Sequence, residues 1–135
     1  MTDRRNFLKT SAAAATILAL GRAGTSVAAD RSAYRGIVYT SENPGHWAKK
    51  VASHAPQVTI DGDRVTIVTR HPMSAAHYIV RHTLVLADGT VVGGTTFSPA
   101  DKPESTYTLP PGYKGGVYAT SFCNKHDFWL TETAV

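Results

Sequence analysis

The sequence is short of several things that would each name a class of protein. It has one cysteine, Cys123, so no intramolecular disulfide can form. Its longest apolar run, Ser11 to Leu20, is about half of what a bilayer-spanning helix needs. No Gly-x-Ser-x-Gly elbow is present, which removes the usual mark of a serine hydrolase. After residue 30 no stretch keeps apolar residues at helical spacing for about a dozen positions, and this predicts almost no helix. Repeats, low-complexity tracts and internal linkers are also missing. Even the positive charge is thin. Of a formal net charge of +4, most sits in residues 1–29, where Arg4, Arg5, Lys9 and Arg22 face Asp3 alone. The remainder is close to neutral, and a nucleic-acid partner loses its main electrostatic support.

What is present begins with an address. Asp3-Arg4-Arg5-Asn6-Phe7-Leu8-Lys9 is a twin-arginine export signature, followed by the apolar run and then by the small residues Val27-Ala28-Ala29. The order charged, apolar, small is that of a cleavable targeting peptide, with the cut expected after Ala29. Residues 1–29 are thus read as a signal and residues 30–135 as a single small domain, periplasmic or otherwise exported, with no membrane insertion after cleavage. The twin-arginine route carries proteins already folded. In an oxidising compartment a lone thiol is a liability unless it is buried or holds a metal.

From Arg35 onward short β-branched and aromatic segments alternate with turn residues. Strands are predicted at 36–40, 57–60, 64–69, 78–86, 90–97, 106–109, 117–122 and 128–133, with hairpins at Asp61-Gly62-Asp63 and Asp88-Gly89. This spacing predicts an all-β fold, a single immunoglobulin-like antiparallel β-sandwich of about seven strands.

Six histidines remain to be placed. His54, His71, His77 and His126 fall at predicted strand ends or in the loops between them, where a sandwich brings distant segments together. Cys123 and His126 form a Cys-x-x-His step, which offers a thiolate and an imidazole from one turn. One sulfur with several nitrogens suits iron or copper better than structural zinc, which commonly takes more than one cysteine. His46 and His82 match no motif and are expected at the surface or in hydrogen bonds. Trp47, Tyr78, Phe122 and Trp129 are expected as core or site-shielding aromatics. Spacing alone therefore reaches an exported β-sandwich with a His/Cys metal site.

The motifs around these residues go further. His71-Pro72-Met73-Ser74-Ala75-Ala76-His77 resembles the His-Pro-x-x-x-x-His segment of superoxide reductases, the desulfoferrodoxin and neelaredoxin family. Cys123-Asn124-Lys125-His126 resembles that family's closing Cys-Asn-x-His, and Ser53-His54-Ala55-Pro56, preceded by Trp47, resembles its His-x-Pro element. The resemblance runs over residues 42–133 with the motifs in the family's order. It implies a mononuclear non-haem iron, with His54, His71, His77 and His126 as equatorial ligands, Cys123 as the axial thiolate and an open position opposite the sulfur. It further implies reduction of superoxide to hydrogen peroxide, re-reduction by an external one-electron donor, and pairing of sandwiches into a homo-oligomer. Backbone N–H groups between Asn124 and His126 are expected to hydrogen-bond the sulfur.

One segment departs from the family. Where it reads Glu-Lys-His, this chain has Ala52-Ser53-His54. The glutamate that closes the open position and the lysine that attracts the anion are both absent. The segment between Trp47 and His54 is about two residues longer than is common in shorter family members, so Lys49 and Lys50 are the candidates for superoxide steering, with Lys125 as a further one. Glu42 is not expected to replace the missing glutamate. Two other readings compete: a cupredoxin-like copper carrier, for which Met73 is the only methionine beyond the signal, and a metal-binding sandwich without turnover.

Overall fold

A computed structural model describes residues 36–135; the expected signal and its cleavage point lie outside the described residues. Eight strands form, against an expectation of about seven: β1 Val38–Tyr39, β2 Gln57–Asp61, β3 Arg64–Val68, β4 Ile79–Leu86, β5 Val91–Thr96, β6 Glu104–Thr108, β7 Gly116–Cys123 and β8 Asp127–Ala134. They make a five-stranded sheet, β1-β8-β7-β4-β5, and a three-stranded sheet, β2-β3-β6. The pairings are antiparallel except that β1 runs parallel to β8, aligning Val38 with Phe128. That contact joins the two ends of the described chain, which local turn chemistry does not reveal.

Alternation of side chains builds the core. Val65 and Ile67 of β3 and Val117 and Ala119 of β7 are fully buried, and with Leu84, Leu86 and Leu109 they fill the space between the sheets. Each valine, isoleucine or leucine among them contributes about 1.5–3 kcal/mol by leaving water. A bulge in β4 between Ile79 and Arg81 resets the alternation, so that Ile79 and His82 both point inward, beside Cys123 and Ser121 of β7. Gly62, with φ +60°, closes the β2–β3 hairpin, a conformation open to glycine at little cost.

The expectation of almost no helix holds among the described residues, and what helix there is lies in one short segment. A 3-10 helix runs Gly45–Lys50, broken at Trp47 (φ −95°, ψ 23°), and continues into α1, Val51–His54. The segment is too short and too irregular to leave a 3.6-residue period in the sequence. No helix among the described residues is long and apolar enough to cross a membrane.

Candidate metal centre

Three stretches of chain converge beyond one end of the core. The first is α1, whose last residue is His54; the next residue, Ala55, is extended (φ −66°, ψ 123°) and donates its N–H to the Val51 carbonyl at 3.0 Å. The second is the loop after β3. His71 enters it through a tight turn, its N–H on the Thr69 carbonyl at 2.8 Å, and Ser74 and His77 then pair their backbones at 3.0 and 3.1 Å to close a small hairpin. The third is the turn between Cys123, the last residue of β7, and Asp127, the first of β8. Asp127 takes φ +61°, which an aspartate tolerates better than most residues, and this folds His126 back toward Cys123.

Asn124 ties the second stretch to the third. Its Oδ1 accepts the Tyr78 N–H at 3.0 Å, its Nδ2 donates to the Ala76 carbonyl at 3.1 Å, and its own N–H reaches the Tyr78 carbonyl at 3.2 Å. These three bonds bracket His77 on both sides. No periodicity marks this clamp in the sequence; only its place inside Cys-Asn-x-His draws notice.

The convergence gathers all the residues that the sequence singled out as ligands. His54, His77, Cys123 and His126 each present a donor atom within 4.8 Å of the others. His71 lies just outside that tightest group, with its Nε2 3.1 Å from His77 Nε2 and its ring edge-on to His54 at 4.5 Å between centroids. His126 turns Nδ1 inward, 3.0 Å from His77 Nε2 and 3.5 Å from Cys123 Sγ. His54 has Nδ1 occupied by Ser53 Oγ and the Lys50 carbonyl, which leaves Nε2 buried and without a partner. His71 Nδ1 is likewise buried and unpartnered. A buried polar atom left unpaired is rare and costly, and a cation is the kind of partner that His54 Nε2 suits; His71 turns its other nitrogen, Nε2, to the group.

The electrostatics fit the same use. Burial, then the neighbouring histidines, hold His54 at a pKa of about 4; burial and His77 hold His71 there too. His77 and His126 are also lowered, chiefly by burial. All four imidazoles are thus kept in the neutral, metal-binding form. Burial pushes the Cys123 thiol up, while the Lys125 and His126 N–H groups at the sulfur pull it the other way, as expected for this turn. Lys50 is half-buried and its charge acts on His71, His77 and His126; Lys125 acts on His77 and His126. Lys49 is exposed and is not among the charges acting on these rings. Glu42 is exposed and outside the cluster.

The other aromatic and histidine expectations divide. Trp47 lies edge-on against His126 at 4.5 Å and Trp129 is fully buried, donating Nε1–H to the His126 carbonyl at 3.0 Å, so both shield the site. His46 is exposed and packs on Trp47. His82 is fully buried between the sheets and hydrogen-bonded through both ring nitrogens.

Comparison with known proteins places these features. Residues 46–132 match the Desulfoferrodoxin family, and residues 1–21 match the TAT (twin-arginine translocation) pathway signal sequence, which indicates export by that pathway. No curated protein gives a match. Among solved structures, a superoxide reductase (neelaredoxin) from Ignicoccus hospitalis is 26% identical with a TM-score of 0.62, the match covering 73% of this chain and 93% of that one. The superoxide reductase from Treponema pallidum is also 26% identical, with a TM-score of 0.53 and coverage of 62% and 69%. A superoxide reductase (1Fe-SOR) from Giardia intestinalis, at 22% identity, TM-score 0.56 and coverage of 62% and 98%, shares the fold.

Proposed function

This chain belongs to the desulfoferrodoxin/superoxide reductase family, and on that premise we propose that it is an exported superoxide reductase. It reduces superoxide to hydrogen peroxide, taking one electron from an external donor and two protons from solvent. A single iron is held by His54, His71, His77, His126 and Cys123, and residues 1–29 are removed after Ala29. The observation that carries this reading is the meeting of four histidines and the only cysteine at one end of the sandwich, with His54 Nε2 buried and unpartnered. The donor set favours a redox metal, iron or copper, over a closed structural zinc site, and membership of the family favours iron.

Bound iron supplies the one-electron step. The chain's own residues set the conditions for it. Burial keeps the imidazoles neutral, and the Lys125 and His126 N–H groups stabilise Cys123 as the thiolate that binding requires. Lys50 gives positive charge beside the rings and draws in the anion, with Lys125 as a second source; Lys49, at the exposed edge of the same turn, adds to the longer-range attraction. Ala52 carries no carboxylate, so nothing at that position competes with the anion.

The copper-carrier reading needs a weak sulfur ligand. Met73 does pack on the buried cluster of Ile79, Phe97 and Cys123, but its Sδ accepts the Ile79 N–H at 3.3 Å. A purified chain starting at Asp30 tests the proposal. Stoichiometric iron and, on oxidation, a red thiolate-to-ferric band are expected, together with a fast transient when the reduced protein meets superoxide in pulse radiolysis. Copper with an intense blue band, or no transient above the uncatalysed rate, would overturn the enzyme.

A further inference from the structure

His54 is the only proposed ligand whose outward nitrogen has both a side-chain and a carbonyl partner. Ser53 Oγ lies 2.8 Å from His54 Nδ1, the Lys50 carbonyl lies 3.2 Å from the same nitrogen, and Ser53 Oγ donates to that carbonyl at 3.2 Å. A carbonyl has no hydrogen to give. Its approach to Nδ1 is a bond only if Nδ1 carries the proton, and the serine, having given its own hydrogen to the carbonyl, must then accept from Nδ1 as well. The triangle closes in one way only. It leaves the lone pair on Nε2, the buried atom with no partner, facing His71 and His126. The opposite tautomer would set a buried N–H against that cluster and a lone pair against the Lys50 oxygen.

We infer that Ser53 is a positioning residue: the Lys50 carbonyl selects the Nδ1–H tautomer of His54, and Ser53, accepting from the same N–H, holds the ring angle and so presets Nε2 for metal. The inference rests on the metal reading above and deepens it. Metal-ligating histidines generally hold their second nitrogen in such a bond, and losing the partner weakens metal binding by about 10–100-fold. Ser53 is half-buried on a helical turn, where alanine is well accommodated, so the bond can be removed without upsetting the fold.

Two measurements on the chain from Asp30 test this without reading superoxide turnover. Long-range nitrogen–proton NMR of the metal-free protein, with His54 assigned through His54→Gln, reports which ring nitrogen carries the proton. Chelator competition reports the Co(II) dissociation constant. The wild type is expected to be protonated at Nδ1. Ser53→Ala is expected to keep the proton on Nδ1, where the Lys50 carbonyl still demands it, but to raise the dissociation constant about tenfold, and Ser53→Thr to restore the affinity. A wild-type proton on Nε2, or a Ser53→Ala variant unchanged in affinity, would overturn the role of Ser53 and leave the proposed enzyme standing. A wild type that binds metal as described but never reduces superoxide would do the reverse.

Discussion

His82 and His54 are both almost completely buried, and burial holds both at a pKa of about 4. They differ in what their nitrogens meet. His82 accepts or donates to Thr69 Oγ1 at 2.9 Å and Ser105 Oγ at 2.8 Å, and Thr69 Oγ1 passes the network on to Ser121 at 2.8 Å. Every ring nitrogen is occupied, and the group joins β4 and β7 of the large sheet to β6 and the end of β3. His54 keeps one nitrogen empty, among three other imidazoles and a thiol. A shifted pKa therefore does not separate a structural histidine from a ligand; the unpaired nitrogen does.

The comparison can be broken by substitution. The largest effect is expected at the thiol: Cys123→Ser should abolish the thiolate-to-ferric band and lower metal affinity by more than the roughly hundredfold upper limit for an outer partner, as read by absorption and metal analysis. His82→Leu should act in the opposite sense. It strands the Ser105 hydroxyl and half of Thr69, costing about 2–3 kcal/mol in urea unfolding, while bound metal per chain stays unchanged. If His82→Leu sheds metal at little cost in stability, the two classes of histidine are not distinct.

Acid sharpens the same contrast. His54, His71 and His82 each have a folded pKa of about 4 against 6.5 when unfolded. Between those values the unfolded chain holds more protons, so what these three groups contribute to the stability of the metal-free protein is fully present above about pH 6.5 and is lost as the pH falls through about 4. Urea midpoints measured across that window should fall, and His82→Leu should remove its share of the slope. The smallest effect is kinetic. Lys50→Ala should slow the reaction with superoxide by roughly threefold to tenfold at low salt, near the lower end of what steering supplies, and Lys49→Ala by less. Rates equal to wild type and unchanged in salt dependence would remove this turn from the steering.

Most of the sandwich could be read from the sequence because its hairpins are local: Asp61-Gly62-Asp63 and Asp88-Gly89 announce the turns, and alternation announces the buried faces. The strand ends shifted by only one or two residues. What escaped was non-local or short. The parallel partner of β1 is β8, at the far end of the chain, and the helical turn that carries Lys50 and His54 is too brief to show a period. At the site the candidate donors that the fold gathers could be picked out by their motifs, but their buttresses could not. Ser53 looked like a missing lysine, and Asn124 like one letter of a motif, because a hydrogen bond depends on a backbone path that spacing alone does not specify.

The three stretches that meet at the donor cluster have a mechanical consequence for a chain with no disulfide. A cation gripped by α1, the loop after β3 and the turn after β7 is a crosslink, tying the start of the described domain to its last two strands. Ligand held only by the folded form adds about 2.7 kcal/mol at a hundred times its dissociation constant. The loaded protein should therefore open more rarely than the empty one and be digested more slowly, and in an exported protein that difference sets how long each form survives.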